Sequence, residues 1–558
     1  MTFRAPVADI AFSLTAVAGL DRLMGEGGFP DLDAETMTAV LEAAGELAER
    51  VLAPLNRDGD RIGARLENGR VITPPGFPAA FRAFAQGGWN GLAADPEHGG
   101  QGLPRALHLA VFEMMHAANM AFALAPTLTA GAIEALSAHG TERQKALYLP
   151  RLISGDWSGT MNLTEPQAGS DLGLVRTRAE PDGAGHWRLT GQKIFITWGD
   201  HDCADNIVHL VLARLPDAPA GVRGISLFVA PARRVDETGA LLEANAITVG
   251  GIEHKLGIHA SPTCTLLFEG AHAELVGQPN QGLAHMFTMM NAARLNVGAQ
   301  GVGIAERALQ QADAYARERR QGRSPWSQDA PAPIWDHPDI RRRLVLTRAK
   351  IEAARAICLS AAVAADRAAL AADPAVRESA RLREELLTPI AKAWSTDLGV
   401  EAASEALQVH GGMGYIEETG AAQHYRDARI APIYEGTNAI QALDLAGRKL
   451  GMGDGQAVRE LLAEIRATPG LSPRLEAGVA ACEAATAWML ERRGSPEALA
   501  GAVAYLKLMG DVVGGWMLAK GAAADPARAG LERLYAEHVL AGAPALVAAV
   551  QAGVGDLN

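Results

Sequence analysis

Five short segments combine residue types that could do chemistry. In Ile433-Tyr-Glu-Gly-Thr-Asn438 a carboxylate follows an apolar-aromatic pair and precedes a glycine. Partial burial there would raise the Glu435 pKa and strengthen it as a proton acceptor. A surface turn is the plainer reading. In Leu163-Thr-Glu-Pro-Gln-Ala-Gly-Ser-Asp171 a stiff Pro166 meets a permissive Gly169, so backbone N–H groups and the Ser170 hydroxyl could face an anion or a polar ring edge. It also fits a turn before a strand. In Lys193-Ile-Phe-Ile-Thr197, Phe195 and Thr197 stand two apart and share one face of a strand, where they could pack an apolar ring and bond its edge. Tyr315-Ala-Arg-Glu-Arg-Arg320 ends in cations that suit a helix C-terminus or, by bidentate guanidinium contact, a pyrophosphate. Gln408-Val-His-Gly-Gly-Met-Gly414 would let a backbone approach a ligand, or simply close a helix. No Rossmann fingerprint, Walker A motif or HExxH occurs, so NAD or ATP held in the usual way and a catalytic metal are not expected.

Helices and strands must position these segments. Apolar residues recur at helical spacing from residue 34, behind a candidate N-cap at Asp33, and the helical texture continues to 157. Short β-favouring runs follow: HWRLTG, KIFIT, NIVHLVLARL, GISLFVA and CTLLFE. They predict an antiparallel β domain over 158–281, with GAGHWRLTGQKIFIT as strand, turn, strand. Helical patterning returns over 282–452, interrupted by a loop with Pro325, Pro331, Pro333 and Pro338. After the linker GMGDGQ, residues 456–558 read as a further helical domain, whose apolar clusters at Leu461, Leu462 and Ile465 and at Trp516, Met517 and Leu518 need burial. Residues 1–33 are an N-terminal extension.

Composition narrows the function classes. A chain of 558 residues, 48% apolar and 21% charged, is expected to be a soluble protein of several domains. Its 64 acidic against 51 basic residues argue against a general nucleic-acid binder. Cys203, Cys264, Cys358 and Cys482 form no CxxC pair, which fits a reducing compartment. No signal peptide is read at the N-terminus, and the apolar stretches near 120–136 and 539–550 are too interrupted to span a membrane. A cytoplasmic location is expected.

In order and spacing, TEPxAGSD, GxKxxIT, YAxER, QxxGGxGY and IYEGTNxIQ resemble the acyl-CoA dehydrogenase family over about residues 34–450. The resemblance implies a mostly α fold with a central β domain. Its parts would be a helical domain, a β barrel-like domain and a four-helix bundle, here with an extra C-terminal helical domain. It implies FAD as cofactor, with Leu163, Thr164, Phe195 and Thr197 against the flavin ring and Ser170 near the flavin or its phosphates and the substrate. Arg319, Gln408, Gly411 and Gly412 would hold the pyrophosphate and adenosine half of FAD from a partner subunit, and Thr437 would touch the flavin. Glu435 would be the base, flanked by Tyr434 and Gly436 at the substrate.

Some family members carry the base on a helix, just before a substrate-binding arginine. That position is Ala293 here, which leaves Glu435; Arg294 is then the expected substrate arginine, with Asn291 where Asp is common. Three departures stand out: Phe195 for a frequent Trp, Gln167 for Gly, and Ala439 for a Gln that contributes a polar FAD contact.

The implied reaction is α-proton removal by Glu435 with β-hydride transfer to the flavin, giving a trans-2-enoyl-CoA. Electrons would pass to an electron-transfer flavoprotein, and the assembly would be a homodimer or dimer of dimers. A narrower likeness, carried by APVADIAFSL, TMNLTEPQAGSDLG, HKLGIHASPTC and the C-terminal unit, is to a subgroup with 3-(methylthio)propanoyl-CoA dehydrogenases and broad acyl-CoA dehydrogenases. It implies a short to medium acyl chain and a place in dimethylsulfoniopropionate degradation. An oxygen-using acyl-CoA oxidase is an alternative. A DNA-associated alkylation-response flavoprotein is another, but residues 456–558 hold nine basic and eleven acidic side chains, not a basic surface.

Overall fold

The computed structural model describes residues 3–183 and 185–555. Its helices are α1 Val7–Phe12, α2 Leu20–Gly25, α3 Ala34–Leu47, α4 Ala53–Ile62, α5 Phe77–Gln86, α6 Arg105–His139, α7 Glu142–Ser154, α8 Gly282–Glu318 and α9 Pro338–Leu370. They continue with α10 Pro374–His410, α11 Ala421–Ala428, α12 Asn438–Asp444, α13 Gln456–Ala467, α14 Pro473–Glu491, α15 Pro496–Ala524, α16 Ala529–His538 and α17 Ala543–Val550. The strands are β1 Arg65–Glu67, β2 Arg70–Ile72, β3 Trp157–Asn162, β4 Arg178–Pro181, β5 Trp187–Thr197 and β6 Asn206–Arg214, then β7 Ile225–Pro231, β8 Arg233–Val235, β9 Leu241–Ala244, β10 Ile247–Ile252 and β11 Thr263–Val276. Caps set several helix starts. Asp33 accepts from Thr36 N at 2.7 Å, and Thr141 with Gln144 closes a capping box on α7.

The chain divides into two compact units: Met1–Glu46, Pro104–Ala118 and Arg294–Asn558 form the first, Leu47–Leu103 and Asn119–Ala293 the second. The boundary inside α6 falls at Asn119, whose φ of −158° and ψ of 89° break the helix. Its side chain accepts from Phe122 N at 3.1 Å and so caps the following turn.

In the second unit, β11, β5, β4, β6 and β7 pair in a closed ring, because β7 bonds both β6 and β11. This is the barrel-like core, extended by β10 on β11 and β3 on β6. Along β6, Val208, Leu210 and Leu212 join one apolar cluster, with helix residues such as Leu136 and Leu152, while Val211 and Ala213 join the other, with Phe228 and Phe268. Both faces are thus covered, which explains the near-continuous apolar run.

Two sequence expectations fail here. The sheet is mixed, not antiparallel, since β3 runs parallel to β6. And 187–197 is one strand, not strand, turn, strand. Gly191 serves close approach, not a turn: a Cβ there would lie 2.4 Å from Thr177 Oγ1.

Among the described residues, the regular elements of the first unit are helices. α8 lies close to α10 and α6 where small residues allow it: a Cβ on Gly301 would sit 2.3 Å from Ser395 O, and one on Gly303 2.8 Å from Glu113 O. Buried Arg355 donates to Glu113 at 2.8 Å and Glu306 at 3.2 Å, and Arg348 reaches Glu306 at 2.8 Å. The N-terminal extension buries Ile10, Leu14 and Val17. Arg528 bridges it to the C-terminal region by contacts with Asp9 at 2.8 Å and Glu352 at 2.9 Å, its guanidinium 4.0 Å from the Phe12 ring. Leu461, Leu462, Ile465, Trp516, Met517 and Leu518 are all buried, as their patterning predicts. Contrary to the sequence expectation, α6 and α15 are long and apolar enough to cross a membrane, but their apolar stretches are mostly buried within the protein.

Candidate active site

The turn that carries Glu435 is strained at the residue itself. Tyr434 N and Ile433 N bond back to Ile430 O, and Glu435 then adopts φ 55°, followed by Gly436 at φ 80°. A left-handed backbone is disfavoured for a glutamate and persists only where the surroundings hold it. Several groups do so. Thr437 caps α12 by accepting from Ile440 N at 3.2 Å, and Gln441 Nε2 lies 3.4 Å from both Glu435 O and Gly436 O. Lys392 of α10 donates to Gly436 O and to Asn438 Oδ1, each at 2.9 Å.

The electrostatics suit a base. Burial pushes the Glu435 carboxyl up to about 6, against the pull of the Arg294 and Lys392 cations. No hydrogen bond to the carboxylate contributes. Arg294 is buried: its Nη2 is 4.0 Å from where a Gly436 Cβ would stand, and its Nη1 is 3.9 Å from Asp444. Tyr434 turns its hydroxyl to Gln300 Oε1, and burial holds its pKa well above the usual range. Beside this turn Gln300 Nε2 and Gln441 Oε1 are buried with no protein partner among the described residues, so polar capacity is left for a ligand.

The C-terminal end of α10 forms a second patch of the first unit. α10 stops at His410, and Gly411 leaves it with φ 60°. Tyr315 of α8 stacks on His410 at 4.5 Å, which brings the two helix ends together. Gln408, Gly411, Gly412 and Arg319 are all exposed there. Arg317 is taken by Asp313 at 2.7 Å and Arg320 by Asp329 at 2.9 Å, while Arg319 makes one long contact, 3.4 Å to Gln321.

In the second unit the structure brings Leu163, Thr164, Phe195 and Thr197 together. Ile194 N donates to Thr164 O at 2.9 Å. The buried Lys193 reaches Leu163 O at 2.9 Å and Glu165 at 2.8 Å. Glu165 in turn accepts from Thr177 Oγ1 and Arg176 N, so it fixes the whole 163–177 loop. A register shift opposite Leu266 and Cys264 marks a bulge in β5. Phe195 sits there at φ 60° and 58% exposed, an outward aromatic held in a costly conformation. Ser170 is exposed on the loop, and Asn291 is half-buried on α8.

The sequence motifs contain Gln441, Lys193 and Glu165 without marking their contacts, and contain neither Lys392 nor Gln300. The one signal for Lys392 was a lysine inside the apolar run TPIAKAW. A cluster of His186, His272 and Glu274 could hold a metal by proximity, but Glu274 is already bound by Arg143 at 2.7 Å.

Residues 34–156, 160–271 and 280–451 match the acyl-CoA dehydrogenase N-terminal, middle and C-terminal domains, and 456–557 match the acetyl-CoA dehydrogenase C-terminal-like domain. The chain belongs to the acyl-CoA dehydrogenase family. It is 46% identical to the 3-methylmercaptopropionyl-CoA dehydrogenase of Ruegeria pomeroyi over 94% of this chain and 92% of that protein. It is 33% identical to the broad-specificity linear acyl-CoA dehydrogenase FadE5 of Mycobacterium tuberculosis over 97% and 94%. The Caenorhabditis elegans ACDH-11 structure, in complex with C11-CoA, superimposes with a TM-score of 0.81 at 21% identity over 97% of this chain and 92% of that one. The protein is therefore an FAD-dependent oxidoreductase acting on acyl-CoA thioesters.

Proposed function

We propose that Glu435 is the base that removes the α-proton of the thioester. The observation that carries this is a carboxyl held at φ 55°, free of hydrogen bonds, with its pKa near 6 beside Arg294. At neutral pH such a group is ionised yet basic enough to accept a proton. Glu435 N–H makes no protein hydrogen bond among the described residues and is the expected donor to the thioester oxygen as negative charge develops there. Bound FAD supplies the hydride acceptor. Leu163, Thr164, Phe195 and Thr197 would take the flavin ring. Thr437 and Ser170 would lie at its margins, with Ser170 also at the substrate, and Arg319, Gln408, Gly411 and Gly412 would take the pyrophosphate and adenosine half. Arg294, Asn291, Tyr434 and Gly436 would bind the substrate.

The preferred acyl chain is short to medium and saturated, with 3-(methylthio)propanoyl-CoA first, which would place the enzyme in dimethylsulfoniopropionate degradation. The 46% identity to a dehydrogenase of that thioester supports this reading. A thioether is nearly as apolar as a methylene, and such a difference is worth only about 1–3 kcal/mol, so butanoyl- to octanoyl-CoA should also react. The electron acceptor is an electron-transfer flavoprotein, and the assembly is a homodimer or a dimer of dimers in the cytoplasm.

The test is anaerobic flavin bleaching by an acyl-CoA panel, with wild type beside Glu435→Gln. The variant should keep its FAD and bleach roughly a hundred- to ten-thousand-fold more slowly. Near-normal bleaching would end the base assignment. A strong preference for palmitoyl-CoA, or reaction only with branched or dicarboxylyl thioesters, would end the substrate assignment.

A further inference from the structure

A fully buried lysine inside an apolar helix is costly unless it is paired and has work to do. Lys392 is 0% exposed. Its ammonium is spent neither on the bundle core nor on a carboxylate in direct contact. It donates to the carbonyl of Gly436, the residue after the candidate base, and to the Asn438 side chain, each at 2.9 Å. Asn438 is held in turn by α10: its Nδ2 donates to Ala393 O at 3.1 Å, Thr396 Oγ1 at 3.0 Å and Asp397 Oδ1 at 2.7 Å. The start of α12 is therefore fastened to one face of α10 through two side chains, on either side of the Gly436–Thr437 link.

We propose that Lys392 is a positioning residue for the Glu435 turn, holding the carboxylate in its left-handed backbone conformation and placing a cation behind it. This rests on the assignment of Glu435 as the base. Without the Lys392 contacts, α10 holds the turn only through Asn438, three residues beyond Glu435, and Glu435 is freer to relax from φ 55° to a commoner conformation, which would swing the carboxylate and its N–H away together. The charged neighbours are few. Arg294 and Lys392 act on Glu435. Glu435, Asp397 and Arg294 act on Lys392, and burial lowers its pKa to about 7. Arg429 and Lys507 also act on Asp397.

The experiment compares wild type, Lys392→Met, Asn438→Ala and Glu435→Gln as FAD-loaded enzymes, by rapid-mixing flavin reduction with butanoyl-CoA between pH 5 and 9. Lys392→Met keeps the length of the stem and removes the donor and the charge. Its maximal reduction rate should fall about ten- to a hundred-fold, with the half-saturating substrate concentration changed less than threefold. Its acid limb should move to higher pH, because a cation that lowers the Glu435 pKa is gone. Asn438→Ala keeps the charge. It should lose rate to a smaller degree and leave the acid limb in place. Wild-type rate and an unmoved limb in Lys392→Met would overturn the proposal. Should that variant fail to retain flavin, a wild-type rate in Asn438→Ala would overturn it instead. Glu435→Gln separates the two readings. If it stays active, the base assignment fails; if it is inactive while Lys392→Met is normal, only the role of Lys392 fails.

Discussion

A carboxyl near pKa 6 makes the reaction rate a direct reading of one residue. As the proposed base, Glu435 would have to be ionised, and its folded pKa is raised above the ordinary 4.5. Activity should therefore be full well above pH 6 and fall about tenfold per pH unit below it. kcat/KM against pH for a non-ionising acyl-CoA checks this, and a flat profile from pH 5 to 7 would contradict it. The sign for stability is opposite. A raised folded pKa means that the native state holds the proton more tightly, so the stabilising contribution is present below 4.5 and lost as pH rises through 6. Arg294 acts differently. Its guanidinium is buried beside Gly436 and within 3.9 Å of Asp444. If Arg294 binds the thioester as proposed, Arg294→Ala should weaken acyl-CoA binding more than FAD binding, since a charge-assisted contact would be lost. Substrate titration against flavin content decides it: wild-type affinity with depleted flavin would reverse the role.

Among the elements, α10 links the Glu435 turn to the C-terminal helices. Its Lys392 face holds the Glu435 turn, and on another side Trp394 Nε1 donates to Asp511 of α15 at 2.9 Å. Tyr535 of α16 bonds Asp511 O at 2.9 Å. The C-terminal helices thus pack directly on the helix behind Glu435. Deeper in the first unit, Arg355 of α9 joins α6 and α8 through Glu113 and Glu306. Its removal would leave two carboxylates in the core with Arg348 alone to balance them. Arg355→Met should cost about 3–5 kcal/mol at neutral pH, and less in acid as the carboxyls protonate. Urea unfolding at pH 7 and pH 5 measures the difference. A loss below about 1 kcal/mol at pH 7 would show that the network relaxes around the gap.

On the scale of the whole molecule, the proposed dimer bears on how many chains complete one cofactor site. Arg319 and Gly411–Gly412 are exposed at the joined ends of α8 and α10, and Arg319 has little to bind within its own chain. If FAD is shared between subunits, Arg319→Ala should lower flavin retention and dimer stability together. Flavin content and sizing of the apo and holo protein would show it. A monomer that retains FAD fully would refute the shared site.

Local pattern determined much of this protein. The cap at Asp33, the helical periodicity, the apolar clusters of the C-terminal unit and the motif around Glu435 are all short-range features, readable because capping, period and turn chemistry act within a few residues. The pKa direction at Glu435 was legible for the same reason, since its immediate neighbours are apolar. What the sequence left open depends on distant partners. β3 runs parallel to β6 because 43 intervening residues return to the same side, which no local signal specifies. Gly191 reads as a turn until Thr177 is seen across the strand from it. Lys392 and Asn438 stand 46 positions apart, and nothing in either segment says that they meet. Burial of a lysine, closure of a ring of strands and the strain at Glu435 are decided by tertiary packing, because each is set by groups that only the folded chain brings within bonding distance.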